Sequence, residues 1–217
     1  MVIFMNLLKR LCIILILFIL YTCICAFSYA STVSNNISNS VFRLHILANS
    51  DSNDDQELKL KVRDNILEYM KSFSSDIDSK EKAITILEEN LDAFEGIALQ
   101  TIHDEGYNYD VNLYIGKYNF PTKTYGDISL PAGLYDALRV EIGEAKGHNW
   151  WCVMFPTLCF VDVSSGILDE NSKEVLESNL NEEEYELVSG DNASVNFKFK
   201  ILEFFNDIKV NLANVDI

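Results

Sequence analysis

Three residues near the middle of the chain have side chains suited to chemistry: His148, Cys152 and Cys159. A thiol enzyme needs a cysteine that a neighbouring histidine and an orienting group activate. Cys152 lies inside the apolar run of residues 150–155, and such surroundings disfavour the thiolate and leave the thiol inert. The sequence therefore predicts no catalytic residue and no enzyme, with a thiol-dependent hydrolase as the alternative.

The same three residues make a poor metal site, because zinc is normally held by four ligands at a recognisable spacing. The sequence also has no glycine-rich phosphate loop before a helix, no Gly-x-Ser-x-Gly and no His-Glu-x-x-His. We therefore predict no metal and no cofactor. Cys152 and Cys159 have two alternatives: a disulfide, if the compartment is oxidising, or two buried free thiols. A hairpin that turns at residues 154–157 would bring the two side chains face to face.

Net charge excludes one class of partner. The 217 residues include 17 Lys and Arg against 33 Asp and Glu, a formal net charge of −16. Such an acidic surface repels phosphate backbones, so we expect no nucleic-acid partner. It also disfavours adsorption to anionic lipid. A hydrophobic content of 48% and a charged content of 23% are typical of a globular protein.

Residues 1–30 have the pattern of a targeting segment. Lys9 and Arg10 form a positive start, residues 11–20 are unbroken apolar, and Ser28-Tyr29-Ala30 offers small residues where a signal peptidase cuts. The segment is either a cleaved signal peptide or an uncleaved N-terminal anchor, because its apolar length borders on that of a membrane span. In both cases the bulk of the chain lies outside the cytoplasm, since the positive charge stays inside.

The rest of the chain alternates strand patterns with helix patterns. Apolar residues at every second position predict strands, and apolar residues three or four apart predict amphipathic helices. The predicted strands are residues 41–48, 107–115, 137–142 and 150–155, and the predicted helices are residues 54–73 and 78–105. The predicted fold class is α/β (α+β), with a small mixed or mainly antiparallel sheet packed against two or more helices after an N-terminal signal segment.

One set of polar and aromatic residues is the candidate partner-binding site. Several members lie off the apolar stripe of the first helix, and as a group they are locally basic on an acidic protein. The alternative for those helix residues is an ordinary solvated face. The set consists of Arg43, His45, Asn49, Asp51, Lys59, Arg63, Asp64, Arg139, Trp150 and Trp151.

Trp150 and Trp151 are neighbours in a predicted strand, so their side chains must point to opposite faces of the sheet. One ring can then pack in the core while the other is available to a partner, and aromatic anchors dominate protein interfaces. The alternative is that other elements cover both faces of the sheet and that both rings belong to the core.

Two long blocks carry a resemblance to a known family. They are FRLHILANSDSNDDQELKLKVRDNIL at residues 42–67 and LPAGLYDALRVEIGEAKGHNWWCVMFPTLCFVD at residues 130–162. Both blocks, in this order, are similar to those of the stage II sporulation protein R family, secreted signalling proteins of endospore-forming bacteria. Two positions depart from that pattern: Ala145 stands where we expect glycine, and Thr157 where we expect a second proline.

The resemblance implies a function that composition and periodicity do not. It implies export from the forespore into the space between the two sporulation membranes, with membrane anchoring if the signal segment is not cleaved. The expected partner is a membrane-embedded aspartic protease of the stage II sporulation GA type. Once activated, that protease processes pro-sigma-E in the mother cell. The alternative is an exported thiol-dependent hydrolase that acts in the cell wall.

The predicted organisation has four segments. Residues 1–30 are the signal peptide or anchor, residues 31–40 are a polar linker rich in Ser and Asn, and residues 41–166 are the signalling domain. Residues 167–217 combine an acidic segment, expected to be a solvated helix or loop, with an amphipathic C-terminal helix. The apolar face of that helix either packs in the core or contacts a membrane surface or partner.

Overall fold

We analysed a computed structural model of the chain, which describes residues 2–73, 76–159 and 170–189. A mixed four-stranded sheet forms its centre, in the order β2-β5-β1-β6, beside a separate two-stranded sheet of β3 and β4. β1 is parallel to β5 and antiparallel to β6, and β2 is antiparallel to β5. The elements are α1 (Val2–Ser40), β1 (Phe42–Leu47), α2 (Asn53–Lys71), α3 (Lys80–Glu89), α4 (Leu91–Asp104), β2 (Val111–Phe120), β3 (Lys123–Tyr125), β4 (Ile128–Leu130), β5 (Gly133–Ile142), β6 (Asn149–Phe155), α5 (Glu170–Asn179) and α6 (Glu182–Ser189). The predicted fold class is confirmed.

The first face of the central sheet is covered by α2, α3 and α4. Phe42, Leu44 and Ile46 alternate along β1 and are fully buried there, which is the period-two pattern of a strand. Their cluster includes Leu138 and Val140 of β5 together with the apolar sides of the three helices. Burial of this continuous apolar layer is the main source of stability on this face.

The second face is covered by the end of α1, the small β3–β4 sheet, α5 and α6. Val33 and Ile37 of α1 are buried in a second apolar cluster, with Ile128 from β4 and Leu176 from α5. Both faces are therefore covered over much of their area, and all six residues of β1 are buried. α1, which precedes β1, packs on the second face, and α2, which follows β1, packs on the first.

α1 corrects the prediction of a linker at residues 31–40. The helix continues to Ser40, and its last turns pack on the domain because Val33 and Ile37 supply apolar side chains four residues apart. Its N-terminal part is different, since its apolar side chains are exposed. Within the described residues, α1 is the one helix long and apolar enough to cross a membrane, a property that a signal sequence shares.

The helices end and begin where capping residues predict. Ser52 caps α2 by accepting from the Asp55 backbone N–H, and Ser79 caps α3 by accepting from that of Lys82. The single helix predicted at residues 78–105 is two helices, α3 and α4, which meet at Asn90. Gly106 follows α4 with a positive φ of 85°, as expected of a helix stop.

Three other predictions change at the level of elements. The strand predicted at residues 107–115 begins later and runs to Phe120, and β3 and β4 are two short strands that the apolar pattern did not predict. The acidic region forms α5 and α6, which are only partly solvated, because Leu176 and Val188 are fully buried. The predicted amphipathic helix at residues 197–212 lies outside the described residues.

Cys152 and Cys159 form a disulfide, which decides between the two alternatives left by the sequence. Cys152 is buried in the first apolar cluster, and the bridge ties the chain after β6 back to that strand. Cys152 consequently has no free thiol in this structure.

Candidate functional site

Two separated parts of the sequence meet at one end of the central sheet, which we call the loop end. β1 and β5 finish there, and β6 begins there, as the pairing of Leu47 with Glu141 and with Asn149 shows. The segment that follows β1, residues 48–55, and the segment between β5 and β6, residues 143–148, therefore lie against each other.

Asn49 joins the two segments. Its side-chain Nδ2 donates to Asp55 Oδ2 at 2.9 Å, and its Oδ1 accepts from the Glu144 backbone N–H at 3.0 Å. Its own backbone oxygen accepts from the Lys146 N–H, and the Gly147 N–H donates to Ala48 O at 2.9 Å. The Asn49 side-chain amide thus donates one hydrogen bond and accepts another, which an ionised aspartate or an alanine cannot do.

Asp51 and His148 form a second link at the surface. The Asp51 carboxylate accepts from the His148 backbone N–H at 2.6 Å and contacts His148 Nδ1. Lys59 Nζ donates to the His148 carbonyl oxygen at 2.9 Å and to Gln56 at 2.6 Å. Burial lowers the pKa of Lys59 from its ordinary value. Lys59 therefore links α2 to the segment between β5 and β6 from inside the molecule, and most of its side chain is not available to a partner.

The segment between β5 and β6 needs small residues. Gly143 has a φ of 56°, and a Cβ there would lie 2.4 Å from Asn49 Oδ1. A Cβ at Gly147 would lie 2.2 Å from the backbone oxygen of Ser50, so any side chain would push the two segments apart. Ala145 has a φ of 50°, in the left-handed region that favours glycine. This accounts for the glycine expected at that position.

Asp55 lies beneath the loop end and is buried. Burial alone would raise its pKa, but hydrogen bonds from Ser50, Asn49, Tyr109 and Ser52 outweigh burial and lower the pKa below its ordinary value. The Ser50 hydroxyl donates to Asp55 Oδ2 at 2.5 Å. The charged Asp55 carboxylate thus accepts the hydrogen bonds that hold the segment after β1 in place.

A line of four side chains crosses the second face near the loop end: Tyr114, Arg139, His45 and Trp151, which we call the cross-sheet row. Register places each beside the next on adjacent strands. His45 stacks on Trp151 with ring centroids 3.8 Å apart. Its Nε2 pairs with Asn149 Oδ1 at 2.8 Å. Burial lowers the pKa of His45, which favours the neutral ring.

The exposed parts of the cross-sheet row are at its two ends. Tyr114 is 47% exposed, whereas His45 is 5% exposed. Arg139 is half-buried, pairs with Glu141 at 2.6 Å, and lies 5.3 Å from the centroid of Tyr118. The row therefore presents tyrosine, arginine and tryptophan surfaces, which are the residue types enriched at the centre of interfaces.

Arg43 corrects the prediction that it lies on a polar surface, because it is completely buried. Its Nη2 donates to the Tyr125 hydroxyl at 2.7 Å, and its guanidinium lies over Phe120 at 4.1 Å and Tyr135 at 4.6 Å. Burial raises the pKa of Tyr125, so its hydroxyl stays protonated and neutral. Both faces of β1 are covered, which is why alternation along that strand did not bring Arg43 to solvent.

Trp150 and Trp151 do point to opposite faces, as predicted, and each is half-buried. Trp150 packs against the first apolar cluster, with Arg63 over its ring at 4.3 Å. Trp151 packs against the second cluster. Arg63 also pairs with the exposed Asp64 at 2.6 Å. Both rings pack against an apolar cluster and both keep exposed surface. That one ring belongs to the core and the other contacts a partner therefore stays a prediction.

The ten predicted site residues thus divide into four places. Asn49, Asp51 and Lys59 belong to the loop end, and His45, Arg139 and Trp151 to the cross-sheet row. Arg63, Asp64 and Trp150 lie on the side of the first face, and Arg43 lies inside the molecule. Four residues that complete these places were not predicted: Asp55, Tyr114, Gly147 and Asn149. His148 was considered only for a catalytic or metal site. For His148 and Asn149 the available signal was their position at the start of β6, but a turn alone accounted for it equally well.

These observations define an α/β domain with a long apolar N-terminal helix and two loop segments joined by hydrogen bonds at one end of its sheet. A profile of the family described as Stage II sporulation protein R (spore_II_R) matches residues 38–165. Stage II sporulation protein R of Bacillus subtilis (strain 168) is 41% identical over 140 residues, which cover 64% of this chain and 62% of that protein. The match thus spans less than two thirds of the relative's length. No solved structure matches the chain.

The chain belongs to the stage II sporulation protein R family, and we therefore treat it as a sporulation protein. The profile begins at residue 38 and ends at residue 165, so it contains β1, the central sheet and the whole loop end. It excludes most of α1.

Proposed function

We propose that this protein is an exported sporulation signal that activates a membrane-embedded aspartic protease of the stage II sporulation GA type. It acts without catalysis, in the space between the forespore and mother-cell membranes. The activated protease then processes pro-sigma-E in the mother cell. Family membership and the apolar N-terminal helix support the sporulation role and export, and the partner is the one that the family resemblance implies.

The observation that carries a binding role is the convergence of the two family-like blocks. They are separated by more than sixty residues of sequence, yet Asn49 and Asp51 from one hold Glu144 and His148 from the other. Such mutual dependence fixes the shape of an exposed loop surface, and binding residues are commonly carried on loops that a rigid scaffold positions. Asp51 and His148 are more than half exposed, so the surface is open to a partner.

The position of α1 fits a signal that acts away from its own membrane. β1 begins directly after Ser40, and Ser34 lies beside Gly133 at the start of β5, whereas the loop end lies where β1 and β5 finish. The ten residues of β5 span roughly 30 Å at the usual rise of a strand. An uncleaved α1 would therefore place the loop end on the side of the domain away from the anchor.

The test is reconstitution with purified components. We expect the full-length chain to stimulate the purified protease to cut pro-sigma-E, and Asp51→Ala to reduce this stimulation at a matched concentration of folded protein. Glu88→Ala, which removes an exposed carboxylate from α3 on the first face, is the control and should behave like the parent. Failure of the parent chain to stimulate the protease would refute the proposed function.

A further inference from the structure

Two guanidinium groups share the second face of the sheet near the cross-sheet row. Arg43 and Arg139 lie on adjacent strands, and Glu141, on the same strand as Arg139, pairs with Arg139. Among the described residues, Glu141 is the one carboxylate that forms an ion pair with either arginine. The protein as a whole is acidic, so this region is a local excess of positive charge.

Arg43 is the source of most of that excess. It is fully buried, its Nη2 donates to the Tyr125 hydroxyl, and its Nε and Nη1 have no partner in the part of the chain described. The faces of Phe120 and Tyr135 compensate the charge only in part. A buried charge is poorly screened by salt, so its field acts on groups that approach the same face.

Arg139 provides the point of contact for an incoming group. Its Nη2 pairs with Glu141 Oε1 at 2.6 Å, but its Nε is buried without a partner among the described residues. Arginine binds carboxylates most strongly when two parallel N–H groups donate to the two oxygens. Glu141 therefore leaves the Nε–H of Arg139 without an acceptor. A buried, unpaired donor costs free energy, and a carboxylate that accepts from both nitrogens would remove that cost.

The surroundings favour a carboxylate on a protein segment over other anions. Tyr114 and Trp151 offer half-exposed aromatic surface on either side of Arg139 and His45, suited to neighbouring side chains of an extended peptide. The exposed carboxylates of Asp51 and Glu144 border the loop end, and they would repel a group that carries more than one negative charge. A single carboxylate experiences less of that repulsion, because the interaction scales with its charge.

We propose that the cross-sheet row is a docking site for one aspartate or glutamate side chain on an extended segment of a protein partner. The incoming carboxylate displaces Glu141 from Arg139 and takes both donors, while residues beside it pack on Tyr114 and Trp151. The inference rests on the proposed function for the identity of the partner, the protease, but its chemistry is testable without that partner.

The first experiment uses a small probe. The Arg139 Nε–H resonance of the full-length chain in detergent is followed by NMR during titration with N-acetyl-glutamate methylamide or with the matching glutamine compound. We expect a shift with the glutamate probe alone and a several-fold tighter apparent affinity in Glu141→Gln. In Arg139→Lys, which lacks the reporting N–H, the Trp151 indole N–H is followed instead, and we expect it to shift with the glutamate probe in the parent but not in this variant. Equal shifts with both probes, or no shift with either, would overturn the proposal.

The second experiment uses the purified protease. Arg139→Gln should weaken binding of the full-length chain by about tenfold or more, as loss of a charged hydrogen-bonded contact does. Lys146→Gln is the matched control, because it removes an exposed cation that pairs with Glu144 at the same end of the molecule. Its binding should equal that of the parent.

The two failures are distinguishable. If the parent chain does not bind the protease, the proposed function fails, and the probe titration still decides the chemistry of the row. If the parent binds and Arg139→Gln binds equally well, the docking site is refuted and the proposed function stands. Urea midpoints of all variants, measured alongside, separate lost contacts from lost folding.

Discussion

The two faces of the central sheet are built from the same strands but from different kinds of residue. On the first face, β1 contributes Phe42, Leu44 and Ile46; on the second, the residues between them include Arg43 and His45. All five are buried. The first face has the composition of an ordinary apolar core, whereas the second holds polar groups that cost free energy to bury.

Unpaired polar atoms show the same asymmetry. Among the described residues, buried side-chain atoms without a partner are Arg43 Nε and Nη1, His45 Nδ1, Arg139 Nε and Trp150 Nε1. Four of these five atoms point to the second face. Each such atom costs roughly 1–3 kcal/mol, so a face shaped for stability alone would not keep them. The proposed docking site accounts for these atoms: the second face would combine packing with recognition, whereas the first serves packing alone.

The largest expected effect concerns α1, which covers part of the second face. A chain that begins at Ser31 keeps Val33 and Ile37 in place, and its stability should equal that of the longer chain. A chain that begins at Val41 loses both side chains, at roughly 1.5–3 kcal/mol for each. Urea unfolding of the two truncated chains measures the difference. Equal midpoints would show that residues 31–40 are the linker that their composition first indicated.

A pair of neighbouring substitutions compares the two faces directly. Leu44→Ala opens a cavity in the first face and should lower the free energy of unfolding by roughly 2–5 kcal/mol. Arg43→Met replaces a buried, unpaired charge by an apolar side chain of similar length, so its stability should be unchanged or higher. Both are read from urea midpoints. A large loss in Arg43→Met would mean that the aromatic rings around this guanidinium compensate its charge fully.

Asp55 gives a smaller effect with a pH signature. Because its folded pKa lies below the unfolded value of about 3.9, the unfolded chain binds the proton first. Its contribution is therefore complete above about pH 4 and is lost as the pH falls through the folded pKa. Asp55→Asn should cost roughly 1–3 kcal/mol at neutral pH. It should also flatten the stability profile below about pH 4.

The matched control for Asp55 is Asp54, its exposed neighbour at the start of α2. Asp54→Asn should change the unfolding free energy by only a few tenths of a kcal/mol, about the scale of a charge near a helix N-terminus. A profile in Asp55→Asn that still falls as steeply in acid as the parent's would assign the acid sensitivity to other carboxylates.

The fold could be predicted largely because the patterns that determine it are local. The period of two at residues 137–142 and the Ser-Asn-Asp sequence at residues 52–54, where α2 begins, each specify an element without reference to the rest of the chain. Residues 31–40 were mispredicted because their polar composition hides Val33 and Ile37, which matter only once the sheet provides a surface for them. Tertiary packing thus overrides a composition that resembles a linker.

The candidate site could be predicted only in part. His45, Arg139 and Trp151 were predicted from their residue types, whereas Tyr114 was not. The grouping of the four depends on register, which places Tyr114 beside Arg139 and His45 beside Trp151. Nothing in the spacing of those residues specifies the strand order. Arg43 shows the limit most clearly: alternation assigned it to the polar side of β1, yet that side is covered by elements from distant parts of the chain.

Two exposed residues of the sheet test most directly whether the second face serves recognition. Tyr114 in the cross-sheet row is 47% exposed, and Leu134, on the first face at the start of β5, is 50% exposed. Tyr114→Ser and Leu134→Ser remove similar exposed surface, and both should keep the urea midpoint of the parent. Binding to the purified protease should weaken by roughly thirtyfold in Tyr114→Ser, the effect of a modest interface hot spot, and remain unchanged in Leu134→Ser. Equal affinities for the two variants would contradict a recognition role for this face.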